Sequence, residues 1–123
     1  MSTIKANTLL HSDGSTTNPP AIPALDQRMA KAWVSFNGTD ITVNQSYNVS
    51  SITDNSVGHY TVNLTTNMEN ATYAVIAGTR WNTANIGAYQ EYNVVGSFQL
   101  YCTGPDMSTA IDTDTVQAIA LAN

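Results

Sequence analysis

Hydrophobic and polar positions alternate most clearly across His59–Leu64, where tyrosine, valine and leucine are interleaved with histidine, threonine and asparagine. This period of two is typical of a strand with one buried face and one solvated face. Residues 46–52 precede it with a similar composition, and residues 54–58 between them are Asp, Asn, Ser, Val and Gly. Such residues favour a turn, because Asp, Asn and Ser bond to nearby backbone and Gly adopts positive φ. The segment therefore predicts a β-hairpin.

Short segments of the same kind continue along the chain. Strands are predicted at 32–37, 41–43, 46–52, 59–64, 73–79, 87–92, 96–102 and 116–122, with Asn37-Gly38 as a two-residue turn between the first two. Many short strands at this spacing indicate an all-β fold, which we interpret as an antiparallel, jelly-roll-like β-sandwich over residues 29–123. The expected core consists of Phe36, Tyr47, Val49, Tyr60, Val62, Leu64, Val75, Phe98, Leu100 and Ile119, with Met68 closing one end.

Residues 1–28 form a separate, extended N-terminal arm in this interpretation. The arm is polar and rich in turn-forming residues, and Pro19, Pro20 and Pro23 favour an extended path. Fully extended, it would span up to ~95 Å, so it could reach neighbouring subunits, although it could also fold over its own domain. The side chains expected to anchor it are Ile4, Leu9, Leu10, Ile22 and Leu25.

A short helix is predicted where the arm meets the sandwich. Leu25, Met29 and Trp33 have helical spacing over about two turns. Such a helix would be marginal alone. It could pack around a threefold axis as a neck, or cap its own sandwich as a connector.

Charge disfavours two classes of partner. The chain has four basic and nine acidic residues, a net charge of −5, and only 11% charged residues. A negative chain repels nucleic-acid phosphates and anionic membranes. The sequence has no apolar run of membrane-spanning length and no signal-peptide pattern at its start, which predicts assembly in the cytoplasm without membrane insertion.

Candidate catalytic and metal-binding residues are sparse. The two histidines are far apart and no Gly-x-Ser-x-Gly motif occurs, so we expect neither an enzyme nor a cofactor. Cys102 is the single cysteine and is expected to be a buried apolar side chain. Asp106, Asp112 and Asp114 lie in one loop that could bind Ca²⁺, although the EF-hand order is absent and a solvated turn is the favoured interpretation.

Residues 79–92 contain the strongest candidates for recognition. Aromatic rings stack on sugar faces while amide and guanidinium groups bond sugar hydroxyls, but aromatics are also enriched at subunit interfaces. We favour an interface over a glycan site on the sequence alone. The residues concerned are Arg80, Trp81, Asn82, Asn85, Tyr89 and Tyr92.

Three segments in a fixed order carry a resemblance to a known family. They are AWVSFNG at 32–38, SYNVSSITDN at 46–55 and YTVNLTTNM at 60–68, with MSTIKAN at the start of the chain as weaker support. Together they resemble a β-rich module of the tail fibres and other appendages of tailed bacteriophages, especially cyanophages. His59 stands where such modules often carry an acidic residue. The resemblance implies a virion component and names no active site.

The expected function is therefore structural. The chain would be a tail or baseplate fibre subunit, a homotrimer located in the virion, with an arm that docks on other virion proteins. Its β-sandwich would project outward and attach to host surface polysaccharide or protein. The alternative is a decoration or cement protein that clamps adjacent capsid subunits.

Overall fold

The computed structural model describes residues 2–8, 10, 13–14, 28–80 and 87–122. Within them the regular structure consists of eight strands and no helix. No helix long and apolar enough to cross a membrane occurs in this part of the chain. The strands are β1 (Ala30–Phe36), β2 (Val43–Tyr47), β3 (Val49–Ser56), β4 (His59–Leu64), β5 (Ala74–Arg80), β6 (Gly87–Val94), β7 (Ser97–Thr103) and β8 (Thr115–Leu121).

The strands form two four-stranded antiparallel sheets. The first sheet has the order β2-β1-β8-β5 and the second has the order β3-β4-β7-β6. The first and last of these strands are neighbours in one sheet. The hairpin β1–β2 lies in the first sheet, and the hairpins β3–β4 and β6–β7 lie in the second, which is a jelly-roll-like arrangement. The predicted all-β sandwich is confirmed.

The core lies between the two sheets because alternate side chains of the inner strands point inward. Phe36 of β1 meets Tyr60 of β4 edge to face, with ring centroids 5.2 Å apart. Six of the predicted core residues are buried, and so is Met68. Val49 and Val75 are partly buried and pack against the core. The buried apolar residues of the cluster are Ala32, Val34, Phe36, Tyr60, Val62, Leu64, Met68, Tyr73, Phe98, Leu100, Cys102, Val116, Ala118 and Ala120.

Two predicted core residues, Tyr47 and Ile119, lie instead on the outer surface. Both are opposite Trp33 in the register of the first sheet, so all three side chains share its outer face. Tyr47 is 39% and Ile119 is 45% exposed. The prediction for Ile119 was wrong because the inward positions of β8 are taken by Val116, Ala118 and Ala120. The prediction for Tyr47 was wrong because all five residues of β2 are exposed.

The first three strands begin and end at different places from those predicted. The β1–β2 connection is a six-residue loop, 37–42, and not a two-residue turn. Ile41 in this loop has φ of 61°, which is unusual for a β-branched residue. The β3–β4 turn is shorter than expected, since β3 continues to Ser56 and leaves Val57 and Gly58 as the connection.

The predicted helix around Trp33 is also wrong over the described residues. Trp33 lies in the middle of β1, and residues 28 and 29 are not helical. The buried alternation of Ala32, Val34 and Phe36 provides the physical reason, because strand geometry places all three in the core. Residues 25–27 lie outside the described part.

Asn48 separates two strands that the sequence pattern joined. It has φ of 55° between β2 and β3 and redirects the chain from the first sheet to the second. Its side-chain amide donates to the carbonyl oxygens of Lys31 and Thr66, both at 3.0 Å, and its Oδ1 accepts from the Thr66 N–H at 2.7 Å. Asn tolerates this backbone conformation and its side chain also ties the two sheets together.

Replacing Asn48 is expected to separate its two roles. Asn48→Gly keeps the left-handed conformation and loses three hydrogen bonds, so we expect a loss of about 1–2 kcal/mol in the free energy of unfolding. Asn48→Ala also incurs the steric cost of positive φ, for a total loss of about 2–3 kcal/mol. Urea denaturation of both variants measures the difference. Equal stability of the two variants and the wild type would contradict this role.

The two ends of the sandwich differ. Ala30, where the arm enters, lies opposite Leu121 of β8, and Ala74 lies on the other side of Leu121; we call this the arm end. The opposite end, the far end, contains the 37–42 loop, the Val57–Gly58 turn and the 104–114 loop. Ile4 and Leu10 of the arm are exposed, whereas Leu9, Ile22 and Leu25 lie outside the described residues.

Hydrogen bonds around Tyr60 close the far end. The buried Tyr60 hydroxyl is 3.0 Å from the carbonyl oxygen of Gly38 and 2.9 Å from Oδ1 of Asp112, which also accepts from the Gly58 N–H. Burial, together with the hydrogen bond to Asp112 and its negative charge, raises the pKa of Tyr60 far above its usual value. The tyrosine therefore remains a neutral donor that joins three loops.

Candidate binding surface on the second sheet

The structure divides the predicted recognition residues between the two sheets. Arg80 ends β5 in the first sheet, and its guanidinium lies 3.7 Å from the carboxylate of Asp114. Tyr89 and Tyr92 belong to β6 at the edge of the second sheet. Trp81, Asn82 and Asn85 lie outside the described residues. Of the described residues in this set, only the two tyrosines share a surface.

A β-bulge places both tyrosines on the same face of β6. Gln90 is opposite Leu100, and the next pair is Tyr92 with Gln99, so Glu91 is an extra residue. Without it, Tyr89 and Tyr92 would point to opposite faces, because they are three positions apart. Tyr89 is 42% and Tyr92 is 58% exposed. The bulge thus brings two aromatic rings to the outer surface.

Three rings from neighbouring strands form an aromatic row on this outer face: Tyr89 of β6, Tyr101 of β7 and His59 of β4. Their register pairs Tyr89 with Tyr101 and Tyr101 with His59. The Tyr89 and Tyr101 ring centroids are 5.2 Å apart in an edge-to-face arrangement, and those of Tyr101 and His59 are 4.1 Å apart. The three rings form one continuous aromatic strip across the strands.

The position of the aromatic row in the sandwich is well defined. His59 is the first residue of β4 and follows the Val57–Gly58 turn, while Tyr101 comes shortly before the 104–114 loop. The Tyr101 hydroxyl donates to the carbonyl oxygen of Ser108 in that loop, at 3.1 Å. The aromatic row therefore lies towards the far end, away from the entry of the arm.

Glu91 gives the row one negative group. Its carboxylate oxygen lies 3.5 Å from Nδ1 of His59, and both side chains are partly exposed. Partial loss of solvent raises the pKa of Tyr89, with smaller contributions from Tyr101 and Glu91. Tyr89 therefore keeps its hydroxyl hydrogen at neutral pH, and the surface combines a hydroxyl donor with a carboxylate acceptor.

Neutral hydroxyl and amide groups continue the surface towards the arm end. Asn63 donates to the hydroxyls of Ser51 and Thr53 at 3.1 and 2.9 Å, and Asn55 donates to that of Thr61 at 2.8 Å. These bonds hold the side chains in fixed positions. A ligand that meets this face finds aromatic planes beside ordered hydroxyl and amide groups.

The chemistry of such a face suits reversible binding of a hydroxyl-rich molecule. Aromatic rings cover the apolar side of a sugar ring, and Glu91 can accept hydrogen bonds from sugar hydroxyls. The Tyr89 and Tyr101 rings stand at 81° to each other, so each ring presents its own face and the two do not form one flat platform.

The three aspartates considered for Ca²⁺ have separate partners. Asp106 accepts hydrogen bonds from the Ser108 and Thr109 N–H groups and from the Thr109 hydroxyl, which hold its pKa well below the usual value. Asp112 bonds to Gly58 and Tyr60, and Asp114 lies beside Arg80. Among the described residues, no group of three His, Cys, Asp or Glu side chains is placed to hold a metal ion.

Cys102 is buried in β7, as predicted. Burial raises the pKa of its thiol to about 11, with a smaller opposing effect from a hydrogen bond to Thr79. The thiol is therefore protonated at neutral pH and shielded from solvent. Both properties disfavour a nucleophilic role.

Sequence reasoning named Tyr89 and Tyr92 but missed Tyr101, Glu91 and the binding environment of His59. The sequence could have indicated that Tyr101 faces outward, because it alternates with the apolar Leu100 and Cys102 in the predicted strand. The bulge at Glu91 had no sequence signal such as glycine. Comparison of the chain with known protein families, with curated proteins and with solved structures gives no match.

Proposed function

We propose that this protein is a structural fibre subunit of a tailed-bacteriophage tail or baseplate, and that it attaches to host surface polysaccharide through the aromatic row. The observation that carries the proposal is the location of Tyr89, Tyr101 and His59 at the far end. A subunit held by its arm would present this end outward. The resemblance of residues 30–76 to phage appendage modules supports the same role.

The chemistry of the row favours an uncharged saccharide as the ligand. The chain carries a net charge of −5, and Glu91 lies within the surface. An acidic polysaccharide would be repelled by both. Neutral sugar hydroxyls meet the Glu91 carboxylate and the Tyr89 hydroxyl without this penalty.

In the assembled particle the arm, residues 1–28, docks on other virion proteins and the sandwich associates as a homotrimer. Individual sugar contacts are weak, and three copies bound to one polysaccharide would raise the overall affinity through effective concentration. The same arm could instead clamp capsid subunits in a decoration protein. Immunogold labelling of intact particles at the tail supports the fibre role, and labelling confined to the capsid contradicts it.

The binding site is tested with Tyr89→Ala on an array of bacterial surface polysaccharides, followed by titration with a single soluble oligosaccharide. We expect wild type to bind uncharged glycans, and Tyr89→Ala to bind about 5- to 13-fold more weakly, since removing a stacking ring costs roughly 1–1.5 kcal/mol.

The matched control is Tyr47→Ala, which removes a tyrosine of similar exposure from the outer face of the first sheet. Its affinity for a monovalent oligosaccharide should equal that of wild type. If wild type binds no glycan, or if both variants bind as wild type does, the proposed attachment surface is wrong.

A further inference from the structure

Asn37 and Gly38, which the sequence placed in a two-residue turn, carry a chemistry that the proposed function does not use. An asparagine that is followed by glycine can lose its side-chain amide group, because the next backbone nitrogen attacks the side-chain carbonyl carbon. Glycine in the second place leaves that nitrogen unhindered and the backbone free to rotate. Asn37 is the one asparagine of the chain with glycine after it. The sequence thus marks position 37 as the asparagine most open to deamidation.

The reaction needs only the chain and solvent water. The Gly38 nitrogen forms a bond to Cγ of Asn37, the bond from Cγ to Nδ2 breaks, and Nδ2 leaves as ammonia with the hydrogen that the Gly38 nitrogen gives up. The product is a cyclic imide. Water then adds to either of its two carbonyl carbons and opens the ring, which leaves an aspartyl or an isoaspartyl linkage at position 37. Neither step oxidises or reduces the chain.

The folded structure withholds the attacking nitrogen. The Gly38 N–H donates to the carbonyl oxygen of Thr113 at 2.8 Å, and Gly38 and Thr113 are both buried. To reach Cγ, the nitrogen must give up this hydrogen bond and the planar geometry of its peptide group. Water cannot replace Thr113 as the acceptor unless the 37–42 loop first moves away from the 104–114 loop.

The side chain under attack is also held in place. Oδ1 of Asn37 accepts from the Thr39 N–H at 2.8 Å, and the Asn37 N–H donates to the carbonyl oxygen of Thr42 at 2.8 Å. Closure of the imide ring requires the Asn37 side chain and backbone to rotate towards the Gly38 nitrogen. Both hydrogen bonds oppose this rotation while the loop is closed.

Tyr60 fixes the Gly38 peptide from inside the sandwich. Its hydroxyl lies 3.0 Å from the Gly38 carbonyl oxygen and 2.9 Å from Oδ1 of Asp112. A Cβ added to Gly38 would lie 2.5 Å from the same hydroxyl oxygen, so the tyrosine packs directly against this backbone. Movement of Gly38 towards Asn37 therefore breaks the contacts that close the far end.

We propose that Asn37 is a site of spontaneous deamidation, that the reaction proceeds through local opening of the far end, and that the Tyr60 hydroxyl limits this opening. When opening and closing are faster than the reaction, the observed rate is the unfolded-chain rate multiplied by the fraction of open molecules. This inference goes beyond the proposed attachment function and does not depend on it.

Deamidation would make an opened far end difficult to close again. An isoaspartyl linkage adds one carbon to the backbone at position 37 and displaces the Gly38 carbonyl from Tyr60. Either linkage adds a negative charge to a loop that already contains Asp40 and faces Asp112 across Tyr60. Like charges in one small region repel each other. Brief openings of the loop would thus be recorded as permanent changes.

The test follows deamidation of the full chain at mildly alkaline pH by mass spectrometry of the tryptic peptide 32–80, with fragmentation to assign the site. We expect folded wild type to react at least about a hundredfold more slowly than the chain in guanidinium chloride, because opening breaks several hydrogen bonds. Tyr60→Phe, which keeps the ring, should react about tenfold faster than folded wild type, the effect of about 1.4 kcal/mol on the opening equilibrium.

Tyr73→Phe is the matched control. Tyr73 is also buried, and its hydroxyl donates to the carbonyl oxygens of Val94 and Ser97 at the arm end. Its loss should leave the reaction at Asn37 unchanged. Equal rates for folded and unfolded wild type overturn the inference, as does a folded Tyr60→Phe that reacts no faster than wild type or than Tyr73→Phe.

Amide hydrogen exchange of Gly38 in wild type gives a second measurement that needs no variant. Exchange requires the Gly38 N–H to leave Thr113, so we expect this amide to be strongly protected. A Gly38 amide that exchanges as fast as in an unfolded chain overturns the inference, even if Tyr60→Phe does not fold. Glycan binding by freshly purified protein is unaffected by either result, so the attachment function is tested separately.

Discussion

Gly58→Ala is expected to lower the free energy of unfolding by about 3 kcal/mol or more, a large share of a typical domain stability. Gly58 has φ of +70°, which costs a residue with a Cβ about 1–2 kcal/mol. The added Cβ would lie 2.6 Å from the carbonyl oxygen of Cys102 and 2.8 Å from the nitrogen of Ile111. These are backbone atoms, so the clash is not relieved by rotation of a side chain.

The neighbouring backbone is also held by hydrogen bonds. The Cys102 N–H donates to the Gly58 carbonyl at 2.8 Å, and the Ile111 N–H donates to the Cys102 carbonyl at 3.1 Å. Moving either β7 or the 104–114 loop away from a new methyl group would lengthen these bonds. Steric repulsion and lost hydrogen bonds therefore add to the cost of positive φ.

Gly78→Ala provides the control for this prediction. A Cβ on Gly78 would have no atom within 4 Å, and its stability should stay within about 0.5 kcal/mol of wild type. Thermal and urea denaturation at low protein concentration measure both variants. A Gly58→Ala protein as stable as Gly78→Ala would show that the turn can relax, contrary to the packing described.

Phe36→Ala is expected to cost about 3–5 kcal/mol, the usual range for truncating a buried aromatic residue. Phe36 is fully buried and packs edge to face on Tyr60 across the two sheets. Its removal leaves a cavity beside the hydroxyl that joins Gly38 and Asp112, so the far-end loops lose their packing support. Urea denaturation, with near-ultraviolet circular dichroism to follow the tyrosines, measures the effect.

The comparison for this variant is Tyr92→Ala, which removes an aromatic ring from the exposed face. Tyr92 is 58% exposed, so its removal is expected to lower the free energy of unfolding by less than about 1 kcal/mol. If the two variants were equally stable, the space between the sheets would not be the main source of stability.

The sequence predicted the fold class because alternation is strong in the strands that form the core. The limits predicted for β4 agree with the structure, and those of β7 and β8 differ by one residue at each end. In each of these three strands the inward side chains form one apolar face. Alternation is a local consequence of the pleat, and it needs no knowledge of the neighbouring strands.

The errors have a different physical origin. The positive φ at Asn48 and the bulge at Glu91 each change the phase of the alternation, and neither position has the glycine that would signal it. The orientation of Ile119 depends on packing between sheets, which favoured alanine inside. Three expectations depend on partners outside this chain and stay predictions: the anchors of the arm, the homotrimer and the role of the chain in a virion.

The sequence indicated only part of the candidate surface, because the rest depends on how distant strands pair. Tyr89 and Tyr92 stood out by composition, and they lie on one face as a site would require. The row, however, is made by pairing of β4 with β7 and of β7 with β6. Pairing brings His59 within ring contact of Tyr101, which is 42 residues away in sequence. A local sequence pattern cannot predict a contact over this separation.

The pairing of Ala30 with Leu121 has a consequence for how such a domain can be used in larger chains. Entry and exit of the folded body are separated only by the distance between adjacent strands, about 5 Å. A body of this kind can be inserted into or removed from a longer polypeptide as a cassette, with little displacement of the segments on either side. Exchange of such a body between otherwise unrelated polypeptides would then require no redesign of the junction.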